Sequence, residues 1–285
     1  MSTLQYSGPG RLSLIRLELG KLSAFLRRDL LIAWSYRLAF VSEWSGLALQ
    51  AVMFYFVGRL VDPSVLPTYG GSETTYMEFA AVGIAMTAFV QLALSRVGTG
   101  LRAEQVQGTL ESLLMTPTSP STIQIGTVFY DLLYIPLRTA VFLVLTAVAF
   151  GLHFDTDGFL PALTVLLAFI PFVWGLGVAN AGFILTFRRG GGISGLVVTV
   201  LTLFSGAFFP LELLPEWGRD SARLNPIAIA IDGMRQPLLG GSGWSGVGGE
   251  LLVLLPLSAL SLAVGLLAFR AALRREKRRG SLGLY

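Results

Sequence analysis

The sequence predicts an all-α integral membrane protein with six transmembrane helices. The chain has 285 residues, of which 53% are hydrophobic and only 13% charged, against about 25% charged residues in soluble domains. It contains several apolar stretches with few charges, of about the length that crosses a bilayer, roughly 20 helical residues. Lys and Arg residues flank these stretches, as expected for a membrane protein that follows the positive-inside rule.

The first predicted element is an amphipathic helix within a cytoplasmic N-terminus, residues 1–37. Its apolar residues recur at alternating steps of three and four, while charged side chains occupy the other faces. This pattern predicts a helix that lies on the inner leaflet, although a cytosolic helix packed on another subunit has the same pattern. The apolar positions are Leu12, Ile15, Leu19, Leu22 and Leu26.

The transmembrane domain is predicted at residues 38–270, followed by a basic cytoplasmic tail at 271–285. The predicted spans are residues 38–61, 79–97, 128–151, 159–187, 193–209 and 251–270, the fifth of them short. With six spans, both termini lie on one side of the membrane. Segments on that side hold 16 of the 21 Lys and Arg residues, whereas loops 62–78 and 152–158 hold none. The positive-inside rule therefore places both termini in the cytoplasm.

A half-polar amphipathic segment joins spans two and three on the cytoplasmic side. Its apolar residues can face the base of the membrane domain while its polar residues remain available to a partner protein. The residues predicted to take part are Glu104, Gln107, Gly108, Thr109, Leu110, Glu111, Ser112, Leu113, Leu114, Thr116 and Pro117. Glu111 is expected to pair with a basic side chain of the partner, and a solvated helix charge is the alternative. Arg188 and Arg189 form a second cytoplasmic contact or a simple positive-inside turn.

The outer segment between spans five and six is interrupted by prolines. Pro210, Pro215 and Pro226 each oppose a continuous helix, and the intervening runs are too short to span. Broken helices at membrane depth require cover by protein or a cavity. We therefore expect two short re-entrant helices, at about 212–224 and 227–238, with an amphipathic surface loop as the alternative. Asp232 and Arg235 have the spacing of an ion pair on one helix face.

Few polar residues occur within the predicted spans, and each is costly in lipid unless it faces protein or water. These candidates for a substrate path are Glu43, Gln50, Gln91, Asp131, Arg138 and Asn180. Asp131 and Arg138 are separated by two helical turns, so they either belong to one charged seam or pair structurally with other spans.

Two sequence blocks resemble the type-2 export class of ABC transporter permeases, in particular the daunorubicin-resistance type of drug and lipid exporter. The first is GTLESLLMTP from Gly108 to Pro117; the second is SGAFFPLELLP from Ser205, followed by LNP from Leu224 and DGMR from Asp232. The blocks occur in the family's order, and the resemblance extends over nearly the whole chain.

The resemblance implies that Gly108 to Pro117 belongs to a coupling helix that docks into a cytosolic ATPase. Two ATPase copies and a second permease, identical or homologous, are expected partners. ATP and Mg would be bound by the ATPase, and no cofactor by this chain. The outer segment is expected to contribute a gate or substrate path through Phe208, Phe209, Pro210, Glu212, Pro215, Asn225 and Pro226. The expected location is a bacterial or archaeal-type inner membrane, and the expected cargo is an amphipathic or hydrophobic drug, lipid or glycolipid.

Other functions have less support in the sequence. The chain has no Cys and a single His, His153, so thiolate chemistry is excluded and no metal site is expected. It has no Gly-x-x-x-x-Gly-Lys-Ser/Thr phosphate loop, and its basic residues indicate topology rather than nucleic-acid binding. A secondary transporter would show internal repeats, and no convincing repeat relates the two halves of this sequence. A lipid-modifying enzyme would need a polar cluster at one face, for which His153, Asp155 and Asp157 are the nearest candidates.

Overall fold

The computed structural model describes residues 11–71, 74–106, 120–187 and 191–279, and within these ranges the regular structure is helical. The α-helices in chain order are α1 (Arg11–Ser35), α2 (Arg37–Gly58), α3 (Tyr76–Val106), α4 (Pro120–Phe150), α5 (Phe159–Phe187), α6 (Gly191–Leu203), α7 (Glu216–Arg223), α8 (Pro226–Gly240) and α9 (Gly248–Arg279). Short 3₁₀ turns occur at Pro63–Val65, Leu211–Leu213 and Gly243–Gly246. The all-α prediction is confirmed for the described residues.

Five described helices are long and apolar enough to cross a membrane: Arg37–Gly58, Tyr76–Arg96, Phe129–Phe150, Phe159–Phe183 and Gly248–Ala272. They correspond to five of the six predicted spans, within a few residues at each end. The remaining span, 193–209, corresponds to α6, which has 13 helical residues. At 1.5 Å per residue this helix is about 20 Å long, shorter than a hydrocarbon core of about 30 Å. The six-span layout therefore remains a prediction.

The N-terminal helix α1 packs on the first part of α4. Phe25 is buried, and a Cβ added at Gly126 of α4 would come within 2.5 Å of the Phe25 ring. A helix is thus present where the leucine spacing predicted one, and it contacts the membrane domain of its own chain. Its amphipathic character and its position on the inner leaflet remain predictions. A short break at Tyr36, with φ −94° and ψ 54°, separates it from α2.

Helix α3 forms the centre of the bundle. In its spanning part 83% of the residues are buried, against 11% in α2. It packs against α4, α5 and α8, through small and branched side chains such as Ala80, Val82 and Ile84. Because buried side chains are close-packed, changes of side-chain volume or polarity are expected to be more costly in α3 than in α2.

Helices α5 and α9 form the most extensive pair. A Cβ added at Gly175 would overlap the backbone of Ser261, and one added at Gly265 would overlap the backbone of Gly175. The Ser258 hydroxyl donates to the Ala168 carbonyl at 2.8 Å, and the Ser261 hydroxyl donates to the Phe172 carbonyl at 2.9 Å. Close approach at small residues and hydroxyl bonds between helices are the means by which helices associate in lipid.

The outer segment forms two short helices, as predicted, but the first begins later than expected. We predicted it at about 212–224, whereas α7 begins at Glu216. Pro215 forces Leu214 into an extended conformation, with ψ 149°, so a helix cannot continue across this point. The second, predicted at 227–238, is α8. Most of its residues are buried under α3, α5 and α9.

Candidate functional site

The predicted docking segment connects the inner ends of α3 and α4. Helix α3 ends at Val106 and α4 begins at Pro120, so the intervening residues join two helices that pack on each other. Glu104 lies in the last turn of α3. Gln107 and Gly108 to Pro117 lie outside the described residues, as do Arg188 and Arg189 between α5 and α6. Their roles therefore remain predictions.

On the opposite side of the bundle, Arg235 of α8 anchors the outer segment. Its side chain is only 1% exposed. Its Nη atoms donate to the carbonyls of Gly206, Ala207 and Phe79 at 2.9, 3.1 and 2.9 Å. One side chain thus joins the segment after α6 to the start of α3. Charge-assisted bonds to carbonyls that water cannot reach are among the stronger hydrogen bonds in proteins.

Further contacts complete the surroundings of Arg235. The guanidinium carbon lies 3.5 Å from the centroid of the Phe79 ring, and Nη1 lies 3.7 Å from Oδ1 of Asp232. The predicted Asp232 and Arg235 pair is therefore present. Burial raises the pKa of the nearby Tyr69 hydroxyl to about 12, although the positive charge of Arg235 opposes the shift. Tyr69 remains protonated and available as a hydrogen-bonding group at neutral pH.

Asn225 fastens the start of α8 to the end of α6. Its Oδ1 accepts from the Ile227 backbone N–H at 3.0 Å, which caps α8. Its Nδ2 donates to the carbonyls of Leu201 and Phe204 at 2.7 and 3.0 Å. The Leu201 carbonyl lies in the last turn of α6 and the Phe204 carbonyl directly follows the helix, where helical partners are missing. Pro226 occupies the first turn of α8, where its missing N–H costs nothing.

Phe208 connects the outer segment to the outer ends of α2 and α3. Its ring stacks on Phe54 with centroids 5.1 Å apart, and its carbonyl accepts from the Tyr76 hydroxyl at 2.8 Å. A Cβ added at Gly83 would overlap the Ala207 carbonyl, so α3 can approach the segment closely only because this residue is glycine.

The other predicted outer residues are less enclosed. Phe209 is half-buried and Pro210 is buried, whereas Glu212 and Pro215 are exposed. The backbone between Gly206 and Pro210 is therefore held by several contacts. The turn that follows, around Glu212 and Pro215, lies at the surface.

Within the inner half of the bundle, the structure brings charged residues of three helices together. Arg96 of α3 and Glu43 of α2 form an ion pair with Nη2 to Oε1 at 2.7 Å. Arg138 of α4 is 8% exposed. Its Nη2 donates to the Glu43 carbonyl at 3.4 Å, and its guanidinium carbon lies 5.9 Å from the Trp44 ring centroid.

A groove of about 520 Å³ opens beside these residues, between α2, α3 and α4. Four of the six polar residues proposed from the sequence line it: Glu43, Gln50, Gln91 and Arg138. Ser42, Gly46, Thr87 and Ser95 add a largely polar or small lining, and Leu47 and Leu92 add apolar surface. The sequence could not group these residues, because three separate helices contribute them.

The other two intramembrane candidates lie apart from the groove lining. Asp131 is 8% exposed and experiences the charge of Arg96. Its Oδ1 has no hydrogen-bond partner in the described part of the chain, and the same is true of the Asn180 Oδ1. Asp131 and Arg138 form no ion pair with each other in the described ranges. The charged seam is instead completed by Glu43 and Arg96.

The residues considered for an enzyme have local structural contacts. Asp155 Oδ1 accepts from the Asp157 backbone N–H at 2.9 Å, and the His153 backbone N–H donates to Glu78 at 2.9 Å. Among the described residues, no group of three or more His, Asp or Glu side chains has an arrangement that could hold a metal ion.

Comparison with known proteins identifies the family of this chain. Residues 21–239 match the sequence model of the family described as ABC-2 type transporter. The matched region runs from α1 to the end of α8, and it includes the groove, the docking segment and the outer segment. The chain belongs to the ABC-2 type transporter family.

As an ABC-2 family member, the chain is a multi-pass membrane protein. A relative of this ABC-2 chain is the linearmycin resistance permease protein LnrN of Bacillus subtilis (strain 168). The two are 24% identical over 203 residues, covering 70% of this chain and 51% of the relative. The chain thus spans about half the length of that relative.

Sequence reasoning missed several residues of this ABC-2 membrane domain. From the sequence, Arg96 contributes only to the charge distribution that predicts topology. No motif marks Tyr69, Tyr76 or Gly83. A charged residue inside an apolar helical run was the available signal for Arg235. Arg235 pairs locally with Asp232, but its carbonyl acceptors lie far away in the chain, as do the partners described above for the other four residues, so no local pattern reveals these contacts.

Proposed function

We propose that this chain is the membrane-spanning permease of an ATP-driven exporter that moves an amphipathic or hydrophobic molecule out of the cytoplasm or the inner leaflet. The observation that carries this proposal is the ABC-2 family match across residues 21–239, in a chain whose sequence contains no phosphate loop. ATP hydrolysis is then performed by a separate subunit. The relative is a linearmycin resistance permease, which supports export of a drug-like or lipid-like cargo.

In the proposed complex, two permeases pair with two cytosolic ATPases. The segment from Gly108 to Pro117 docks on the ATPase, with Glu111 paired to a basic side chain. Both termini and this segment face the cytoplasm, and α6 supplies the sixth crossing. The position of the segment between α3 and α4 supports this arrangement, because motion of the segment would reach both helices, which border the groove together with α2.

On this proposal the outer gate lies at Phe208 to Pro210. The gate is closed here by the Arg235 bonds, the Asn225 bonds and the Phe54 stack. ATP binding closes the ATPase dimer, moves α3 and α4 from below, and separates α6 from α8. Because the Asn225 side chain joins α6 to α8, its hydrogen bonds must rearrange when these helices separate.

The test combines association and transport. The permease is co-expressed with the ATPase encoded beside it, purified, and assayed in proteoliposomes for ATP hydrolysis and for export of a fluorescent amphiphile. Glu111→Arg is expected to abolish ATPase binding and transport, because it places a positive charge opposite a basic partner. The matched control, Glu216→Arg, makes the same change in α7, on the opposite side of the bundle, and is expected to retain both activities. Intact coupling in Glu111→Arg would contradict the docking assignment.

A further inference from the structure

We propose that the groove between α2, α3 and α4 binds the anionic headgroup of an amphipathic molecule taken from the inner leaflet, and that Arg138 is the cation that holds it. The inference rests on the proposed function for its direction of transport, and it adds the chemical class of the cargo. It is argued from the state of Arg138, the lining of the groove and its depth in the membrane.

Arg138 is buried without a sufficient set of hydrogen-bond acceptors. A guanidinium carries five N–H donors and no acceptor. The Arg138 side chain is 8% exposed, yet its one hydrogen bond to a described residue is the long contact of 3.4 Å to the Glu43 carbonyl. Its Nε has no partner in the described ranges. Because an unpaired buried cation is costly, a group that supplies acceptor oxygens at this place is strongly favoured.

The carboxylates nearby do not meet this need. Glu43 directs its Oε1 to Arg96 at 2.7 Å, and Arg138 forms no ion pair with an Asp or Glu among the described residues. The contrast with Arg235 is informative, because that buried arginine has three backbone carbonyls and Asp232. Both Nη atoms of Arg235 have close acceptors within the fold, although its Nε, like that of Arg138, has no partner in the described ranges. Arg138 has only the single contact of 3.4 Å, which leaves its Nη donors available to an acceptor from outside the fold.

The groove offers the acceptor a place beside Arg138. It measures about 520 Å³ and is lined by Arg138, by the amides of Gln50 and Gln91, and by the carboxylate of Glu43, whose Oε1 is already paired with Arg96. Amide donors complete the hydrogen bonding of phosphate or carboxylate oxygens, and a volume within about 300–1,000 Å³ is typical of ligand pockets. Leu47 and Leu92 supply apolar surface for the start of an acyl or alkyl chain.

The depth of the groove fits a molecule that enters from the inner leaflet. On the proposed topology, Glu43 lies six residues into α2, about 9 Å from its cytoplasmic end, and Arg138 lies nine residues into the spanning part of α4, about 13 Å deep. Ser42, Gly46 and Gln91 are exposed at the mouth of the groove. A headgroup that slides inward from the membrane surface therefore meets the mouth before it reaches Arg138.

The test is photolabelling of the purified full chain in phosphatidylcholine nanodiscs. Ser42, which lies at the exposed edge of the groove and has no proposed bond to the headgroup, is replaced by the photoreactive residue p-benzoylphenylalanine, and the probe is radiolabelled dodecyl phosphate. We expect saturable labelling that unlabelled dodecyl phosphate displaces and that neutral dodecyl maltoside does not. In the same background, Arg138→Gln should weaken apparent binding by about tenfold or more, the effect of losing a charge-assisted hydrogen bond of about 1.5–3 kcal/mol. Arg138→Lys should retain more binding than Arg138→Gln.

A second substitution keeps the test decisive if Arg138→Gln does not fold. A Cβ at Gly46 would meet no atom within 4 Å, so Gly46→Leu fills the groove without disturbing the packing and should also abolish saturable labelling. Gly249→Leu is the matched control, because the glycine at that position of α9 is equally open. A photoreactive residue at Leu145, whose side chain is 53% exposed on α4, reports non-specific contact with lipid and should be insensitive to Arg138.

Three results would overturn the site: labelling that is unchanged in both Arg138→Gln and Gly46→Leu, equal displacement by dodecyl maltoside, or equal displacement by inorganic phosphate. The last would indicate an ion site without selectivity for an amphiphile. Because binding is measured without the ATPase, its failure is distinct from failure of the proposed function. Binding without ATP-driven transport would refute the exporter, and transport without Arg138-dependent labelling would refute the groove.

Discussion

At the scale of residues, two buried arginines have opposite roles. The Nη atoms of Arg235 donate to the carbonyls of Gly206, Ala207 and Phe79. These hydrogen bonds hold two distant segments together. Arg138 has one long contact of 3.4 Å and borders a groove. Burial alone does not distinguish an arginine that stabilises the fold from one that binds a ligand. The number of hydrogen-bond acceptors that the fold supplies to each guanidinium is more informative.

Replacing Arg235 by Met is expected to lower stability markedly. The substitution preserves much of the apolar volume, but it removes the Arg235 donors from the carbonyls of Gly206, Ala207 and Phe79 and leaves Asp232 without its partner. An unsatisfied buried group costs about 1–3 kcal/mol, so we expect a fall in the thermal midpoint in detergent of about 5 °C or more. Arg223→Met is the control, because that side chain is 79% exposed. Equal midpoints for the two variants would contradict the anchoring role of Arg235.

At the scale of elements, α8 is placed by its ends and by one internal charge. Asn225 caps its N-terminus and also binds the end of α6, and Gly241, with φ 59°, ends it in the left-handed conformation. The helix is therefore fixed relative to α6 and α3 even though short connections bound it. The pairing of α5 with α9 depends instead on backbone contact at glycines.

The two functions of Asn225 can be separated by substitution. Asn225→Asp keeps the oxygen that caps α8, so it would be nearly neutral if capping were the whole role. It loses the donors to Leu201 and Phe204 and places a carboxylate against their carbonyls. We expect the free energy of unfolding at neutral pH to fall by about 2 kcal/mol or more, at least as much as in Asn225→Ala. Native-like stability of Asn225→Asp, measured by thermal unfolding, would show that the bonds to α6 are dispensable.

The contact between α5 and α9 predicts a position-specific effect of size. Gly175→Leu requires the helices to separate, because even a Cβ would overlap the Ser261 backbone. We expect loss of the monodisperse species in size-exclusion chromatography, since overpacking costs about 1–3 kcal/mol or more. Gly195→Leu in α6 makes the same change where a Cβ meets no atom within 4 Å, and its elution profile should match that of the native chain. Equivalent profiles for both variants would refute the close contact.

At the scale of the whole molecule, the distribution of charge and the order of helices define a polarity across the membrane. The outer end contains α7, α8 and the Arg235 contacts, and the inner end contains α1, the charged residues beside the groove and the docking segment. The proposed orientation assigns the first end to the outside. The predicted docking segment, which follows the end of α3, is thus separated from the proposed gate by the length of α3.

The orientation and the sixth span can be tested by cysteine labelling, because the chain has no Cys. Single substitutions Ser64→Cys and Ser221→Cys are at exposed positions, and we expect a membrane-impermeant maleimide to label both in intact cells. Gly190→Cys and Ser281→Cys should be labelled only after permeabilisation. Labelling of both Gly190→Cys and Ser221→Cys in intact cells would mean that α6 does not cross the membrane.

Much of this architecture could be predicted from local patterns. Apolar length predicted the five described spans, proline positions predicted two short outer helices, and the spacing of Asp232 and Arg235 predicted their pair. Pro215 shows the limit of such reasoning, since its presence was noted but its displacement of the α7 start was not. For the site, the polar residues of the spans were found individually, because charge in an apolar run is visible in one dimension.

By itself, the sequence determined that the chain is helical and embedded in a membrane, and its motifs indicated the family that the comparison identified. Those properties depend on composition, on periodicity within one helix and on short motifs, all of which are local. Only the tertiary structure decided that Glu43, Gln50, Gln91 and Arg138 line one groove, and that the Nη atoms of Arg235 have three carbonyl acceptors while Arg138 has one long contact. Burial and hydrogen bonding depend on which helices pack together, so residues far apart in the chain become partners only in the folded bundle.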